Sequence, residues 1–157
     1  MNKKIVILGA GESGCGTAIL AKKKGFQVFV SEKFKISHSA KNLFENLDIE
    51  WEEKAHTLSK MQDAQYIMKS PGIPSQTPLV QSLKEIDIPV ISEIEFASKF
   101  TKATLIGITG SNGKTTTAMM TFKILDDAGY DVAMAGNIGN SFAKDVAENE
   151  HQFYVLE

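Results

Sequence analysis

Twice in this sequence a short apolar, β-branched run ends in a glycine-rich loop that opens into a helical pattern. That repeated strand–loop–helix unit confines the chain to a narrow set of folds. The first unit is Lys-Ile-Val-Ile-Leu at residues 4–8, the loop Gly9-Ala10-Gly11-Glu12-Ser13-Gly14, and a helical stretch over 15–24 closed by Gly25. The second is Thr-Leu-Ile-Gly-Ile-Thr at 104–109, the loop at 110–114, and a helical stretch over 115–128 ended by Gly129. Brief apolar runs without strict alternation are what strands buried on both faces of a parallel sheet look like.

Between and after these units the same alternation continues. Strands are expected over 27–30, 66–68, 89–91, 131–135 and 153–156, and helices over 39–47, 78–86 and 141–148. The pattern restarts near Phe100, so the boundary is placed at 93–102, giving one domain over 1–93 and a second over 94–157. A doubly wound domain that starts near Thr104 holds only three strands and two helices by Glu157. The expectation is therefore the front part of a longer chain, inactive on its own.

Composition limits the partners. A net charge of −2 gives no reason to expect nucleic acid or an anionic membrane, and the start of the chain carries no stretch long enough for a signal peptide or a membrane span. The single cysteine, Cys15, excludes an internal disulfide and a zinc site built from several thiolates, which fits a reducing, cytoplasmic setting. It is expected to be a packing residue. His38, His56 and His151 have no metal-ligand spacing and are expected at the surface, and Glu50, Glu52 and Glu53 around Trp51 read as a solvated face. All 17 basic residues are lysines. Without arginine's planar fork, phosphates must be held by backbone N–H groups, lysine ammonium groups or metal.

The first loop matches G-x-G-x-x-G in its required context. The first glycine permits the tight turn, the second lets backbone approach a diphosphate, and the third allows close helix–strand packing. Glu32 ends the next strand, about 20 residues on, where an acid meets a ribose hydroxyl. NAD, FAD and UDP-sugars could all use such a loop, so an oxidoreductase domain and a non-catalytic nucleotide-sensing module stay open here.

The second loop is more specific. Gly110-Ser111-Asn112-Gly113-Lys114-Thr115-Thr116 has the G-K-T ending of a phosphate loop, with backbone N–H groups for phosphate oxygens, Lys114 for β/γ charge and Thr115 for Mg²⁺. The spacing is shortened, because the common form needs glycine at position 108, which is Ile108. A dehydrogenase has no use for this loop, and a simple phosphate-loop hydrolase has no use for the first. The pair points to ATP driving chemistry on a nucleotide-linked substrate. The fold class expected is α/β: a Rossmann-like N-terminal parallel-sheet domain followed by the beginning of a P-loop ATPase-type α/β domain.

Both loops, with Ser70-Pro71-Gly72-Ile73-Pro74, Gly136-Asn137-Ile138-Gly139 and Tyr154-Val155-Leu156-Glu157, resemble the Mur ligase family over nearly the whole chain. This family of ATP-dependent amide-forming ligases builds peptidoglycan precursors for the cell wall. Its ATP loop has the same shortened spacing. Within it the chain looks like the D-glutamate-adding branch: the L-alanine-adding sister usually has histidine where Asn112 stands, and later-acting ligases generally lack the first loop.

The resemblance implies UDP-N-acetylmuramoyl-L-alanine, ATP and D-glutamate as substrates, with Mg²⁺ as cofactor. It implies that Gly11, Glu12, Ser13, Gly14, Glu32, Gly72 and Asn137 meet the UDP-linked substrate, that Gly110 to Thr116 hold ATP with Lys114 catalytic, and that Thr115 and Glu157 serve the metal. It also implies chemistry through an acyl phosphate, with the D-glutamate-binding part lying outside this sequence. Ser31-Glu32-Lys33 departs from the family's usual aspartate with a neighbouring arginine.

Overall fold

A computed structural model describes residues 3–137 and 140–157. Ile138 and Gly139 of the Gly-Asn-Ile-Gly motif lie outside the described residues. The first half forms a five-stranded parallel sheet from β1 (Lys4–Leu8), β2 (Gln27–Glu32), β3 (Glu50–Glu53), β4 (Tyr66–Lys69) and β5 (Val90–Ile91), in the order β3-β2-β1-β4-β5. Helices α1 (Glu12–Lys23), α2 (His38–Asn46) and α3 (Pro78–Glu85) connect it. After α4 (Glu93–Ala97) comes a three-stranded parallel sheet of β6 (Thr104–Gly107), β7 (Val132–Ala135) and β8 (Phe153–Leu156), in the order β6-β8-β7, with α5 (Lys114–Asp127) and α6 (Phe142–Glu148). The α/β class and the parallel sheets agree with the sequence reading.

Side chains alternate across the first sheet as the pleat requires. Val6, Leu8, Phe29 and Ile67 join the core under α3, with Val80 and Leu83. Ile5, Ile7, Val28, Val30 and Met68 face the other way into a larger core. That second core does not stop at the first sheet. Through Leu20 of α1, Phe96 of α4 and Phe142 of α6 it continues to Tyr154 and Leu156 of β8. Phe26, Phe96 and Phe100 stack edge-to-face with centroids 5.0–6.1 Å apart, as do Phe142 and Tyr154 at 4.9 Å.

Helices α1 and α6 meet at Gly16. A Cβ there would lie 1.9 Å from Ser141 Oγ and 3.1 Å from the Lys144 amide, so only glycine fits this crossing. Glu93, buried at the start of α4, accepts from Ser141 Oγ at 2.6 Å and from the Ala143 amide at 3.0 Å. No described helix is long and apolar enough to cross a membrane.

One expectation about these elements fails. Residues 50–53, read as a solvated face, form edge strand β3, with Glu52 and Glu53 half-buried. The segment placed as a boundary, 93–102, holds α4 and a 3-10 turn at Ser98–Phe100, and α4 starts on a capping box between Ser92 and Glu95.

Candidate functional site: two glycine loops joined by adjoining cavities

The first loop is held from beneath. The Gly9 amide donates to Ser31 O at 2.9 Å. Gly14 sits where a Cβ would be 2.0 Å from the Gly9 carbonyl oxygen, whereas a Cβ on Gly11 would meet nothing within 4 Å. The third glycine thus permits packing, and the second leaves space open above the N-terminus of α1. Glu32, expected at a ribose hydroxyl, already accepts from two backbone amides, Ala10 at 2.8 Å and Phe34 at 2.9 Å. Its carboxylate braces the loop.

A cavity of about 780 Å³ opens over this loop. Gly11, Glu12, Ser13, Glu32 and Gly72, all expected at the UDP-linked substrate, line it together. Gly14 lies beneath, and Asn137 lies elsewhere. The Ser-Pro-Gly-Ile-Pro segment forms one wall. Ser70 and Thr77 also line the cavity, and their hydroxyls are buried with no hydrogen-bond partner among the described residues. Unpaired buried hydroxyls are costly, so a polar ligand that pairs them gains affinity.

His56, read from sequence as a surface residue, lines the same cavity. Its Nδ1 is 2.7 Å from the fully buried Ser31 Oγ, which in turn lies 2.7 Å from Glu52 Oε1. Burial lowers the imidazole pKa below its ordinary value, against the opposing charges of Glu52 and Glu32. Burial also works to raise the Glu52 pKa, but the Thr57 amide, the Ser31 hydroxyl and the charge of Lys60 outweigh it, and the net shift is downward. Glu53 accepts from Lys41 at 2.9 Å and from the Ile36 amide at 2.8 Å. These inward bonds are why residues 52–53 do not behave as a solvated face. No spacing rule could have found them.

In the second loop Gly113 adopts φ +75° and caps α5, a left-handed conformation that favours glycine. The first helical bond there runs from the Thr117 amide to Gly113 O. The amides of Lys114, Thr115 and Thr116 precede it and are the ones left for an anion at the positive end of a 14-residue helix. Ser111, Asn112, Gly113, Thr115 and Thr116 are exposed. The Lys114 ammonium lies over the loop, donating to Gly110 O at 2.6 Å.

Pairing of β6 with β8 brings the end of the sequence to this loop. Thr115 Oγ1 donates to Glu157 Oε2 at 2.9 Å, and the Asn137 amide donates to Glu157 O at 3.1 Å. Two hard oxygen donors side by side, one a carboxylate, match Mg²⁺, which keeps several waters and shares phosphate oxygens. A protein-only metal cage is not built: no group of three or more His, Cys, Asp or Glu side chains that could hold a metal occurs among the described residues.

A second cavity of about 300 Å³ is lined by Ser13, Lys69, Pro71, Glu93, Asn137 and Glu157. Ser13 and Pro71 line both cavities. The first loop therefore opens toward Asn137 and Glu157 rather than away from them. Lys69, which sequence reading passed over, contributes a cation here and donates to Ile73 O at 2.6 Å. Cys15 is half-buried, and burial raises its thiol pKa, as a packing role requires.

Comparison with known proteins follows these two loops. The model of the MurD N-terminal domain matches residues 4–79, and that of the Mur ligase middle domain matches residues 108–157. The UDP-N-acetylmuramoylalanine--D-glutamate ligase of Christiangramia forsetii is 56% identical over 157 residues, which is 100% of this chain and 35% of that protein. The ligase of the same name from Bacillus cereus is 38% identical over 161 residues, covering 95% of this chain and 34% of the relative. The chain thus spans about a third of the length of the curated relatives it matches. Among solved structures, a pseudomurein peptide ligase type C from Methanothermus fervidus aligns with a TM-score of 0.60 at 28% identity, over 99% of this chain and 32% of its own. A UDP-N-acetylmuramate:L-alanyl-gamma-D-glutamyl-meso-diaminopimelate ligase from Neisseria meningitides shares the fold, with a TM-score of 0.61 at 24% identity, over 100% of this chain and 52% of that one.

Proposed function

The chain belongs to the Mur ligase family, and from that premise we propose that it is the nucleotide-handling part of the ligase that adds D-glutamate to UDP-N-acetylmuramoyl-L-alanine. The observation that carries this reading is the sharing of Ser13 and Pro71 by both cavities. A substrate held by its UDP end over the first loop can extend its carboxylate past Ser13 toward Asn137 and the ATP loop. Division of labour at residues 93/94 belongs to the same reading, supported by the separate sheets on either side of it. So does a reducing, cytoplasmic setting, in keeping with a single cysteine.

In this reading ATP lies with its phosphates on the amides of residues 114–116. The alanyl carboxylate attacks the γ-phosphorus, ADP leaves, and the resulting acyl phosphate is attacked by the D-glutamate amine, which forms the amide and releases phosphate. The protein's work is placement and charge neutralisation. Lys114 leaves the Gly110 carbonyl to neutralise β/γ charge. Asn137, anchored by its amide on Glu157, orients the substrate's reacting end. Thr115 and Glu157 would hold Mg²⁺, which supplies Lewis-acid charge at the phosphates when bound. Gly11, Glu12, Ser13 and Gly72 hold the UDP part.

The test uses the full-length protein that carries this sequence. Sustained ADP release over many turnovers should require both UDP-N-acetylmuramoyl-L-alanine and D-glutamate, and Lys114→Ala should abolish it. Near-normal turnover of Lys114→Ala, or equal turnover with L-alanine and UDP-N-acetylmuramate, would sink the assignment. Parallel titration with UDP and NAD addresses an oxidoreductase: tight NAD binding without UDP binding would favour it.

A further inference from the structure

The relay Glu52–Ser31–His56 fixes one proton, and that proton decides what the first cavity can recognise. Ser31 Oγ has a single hydrogen and three neighbours: Glu52 Oε1 at 2.7 Å, His56 Nδ1 at 2.7 Å and Ala55 O at 3.3 Å. The Glu52 carboxyl, held ionised at neutral pH, can only accept. The serine hydrogen therefore goes to Glu52, in the charge-assisted bond, rather than to the more distant Ala55 O. At 2.7 Å, Nδ1 must then be the donor to Ser31 Oγ, because the alternative sets two lone pairs against each other. Neutral His56 thus carries its hydrogen on Nδ1 and a lone pair on Nε2. Nε2 makes no hydrogen bond to any described residue. Since Nδ1 is tied to a fully buried serine, Nε2 is the ring edge turned to the cavity that His56 lines.

The place of this acceptor along the cavity suggests its partner. The diphosphate belongs over the α1 N-terminus, at the end of β1. His56 follows β3, two strands away in the order β3-β2-β1, or about 10 Å at the usual strand spacing. With the ribose passing the end of β2, the base reaches the loop after β3. We propose that His56 Nε2 accepts the imide N3–H of uracil, so that the Glu52–Ser31–His56 relay selects uridine over cytidine nucleotides, whose N3 bears a lone pair. His56 is then a specificity-determining residue, and Ser31 a positioning residue that fixes its tautomer. The exposed ring of Phe34, also at this cavity, is available to stack on the same base. This inference rests on the reading that a UDP-linked substrate occupies the first cavity.

Calorimetric titration of the full-length protein with UDP, CDP, N3-methyl-UDP and 2′-deoxy-UDP tests it. UDP should bind about tenfold or more tightly than CDP and N3-methyl-UDP, the size of one buried hydrogen bond with its partner left unpaired. His56→Leu should abolish the preference and bring the UDP/CDP affinity ratio close to one. Ser31→Ala, which frees the tautomer, should narrow the UDP/CDP ratio without weakening CDP. Equal binding of UDP and CDP by the unsubstituted protein overturns the proposal, and that measurement needs no variant to fold. So does a loss confined to 2′-deoxy-UDP, which would assign the acceptor to the ribose. Either result leaves the UDP reading standing, whereas no binding of UDP at all would sink both.

Discussion

Thr115 Oγ1 and Glu157 Oε2 lie 2.9 Å apart although 42 positions separate them in sequence. Parallel pairing of Ile106 with Val155 and Gly107 with Leu156 carries the end of β8 to the mouth of the phosphate loop. If these oxygens hold the metal that bridges ATP, a hydroxyl is needed at 115 and a charge at 157. Thr115→Ala should slow ADP release by the full-length protein on the order of 10²-fold, while Thr115→Ser retains most of it. Glu157→Gln should raise the Mg²⁺ concentration needed for half-maximal rate. Equal rates for the alanine and serine variants would remove Thr115 from the site.

Gly16 offers a stability test in which the sign is diagnostic. In an open helix, glycine to alanine stabilises by about 1 kcal/mol. Here the added methyl would sit 1.9 Å from Ser141 Oγ and 2.8 Å from Ser141 Cβ, and Ser141 is itself tied to Glu93. Overpacking costs about 1–3 kcal/mol, so Gly16→Ala should lower the urea midpoint at an unchanged slope. A raised midpoint would mean that α1 and α6 do not cross this closely.

Glu93 ties the same crossing to α4. Glu93→Ala leaves Ser141 Oγ and the Ala143 amide without their acceptor in a buried place, which costs about 1–3 kcal/mol. Both donors share Oε1, so Glu93→Gln, which keeps a carbonyl oxygen there, should lose less. Because Glu12 also accepts from the Ser141 amide at 3.1 Å, the Glu93→Ala protein should bind UDP more weakly as well. Unaltered unfolding by urea in both variants would contradict the buried acceptor role.

What the sequence disclosed follows from how local each feature is. The strands of the first sheet centre were legible because burial on both faces imposes unbroken apolar runs, as in Ile5 to Leu8. Both glycine loops were legible because their chemistry lies within a few consecutive residues. Strand β3 was not, since Glu-Trp-Glu-Glu pairs, among the described residues, with β2 alone and uses its carboxylates to collect amides and a hydroxyl from other segments. Helix α4 is too short to show a period, although Ser92-x-x-Glu95 spelled out its capping box. The Thr115–Glu157 contact and the Ser31–His56–Glu52 relay join residues far apart in sequence, so only tertiary structure brings them together.

Acid should destabilise this fold, and the direction follows from several groups at once. Glu53 is held below its ordinary pKa by its bond to Lys41 and by the Ile36 amide, Glu95 by the Ser92 amide and hydroxyl, Asp63 by Lys4, and Glu52 by the bonds that outweigh its burial. For a carboxylate with a lowered folded pKa, the stabilisation is fully present above the unfolded value. It disappears as pH falls through the folded one. His56 acts with the same sign: burial lowers its pKa, so between its folded value and the ordinary 6.5 the unfolded chain binds the proton more readily. Stability should therefore be level near neutrality, begin to fall below about pH 6.5 through His56, and fall more steeply below about pH 4.5 as the carboxylates titrate. Urea midpoints taken from pH 8 to pH 3 check this. Glu52→Gln should flatten the acid limb, and an undiminished limb in that variant would show that Glu52 is not one of its sources.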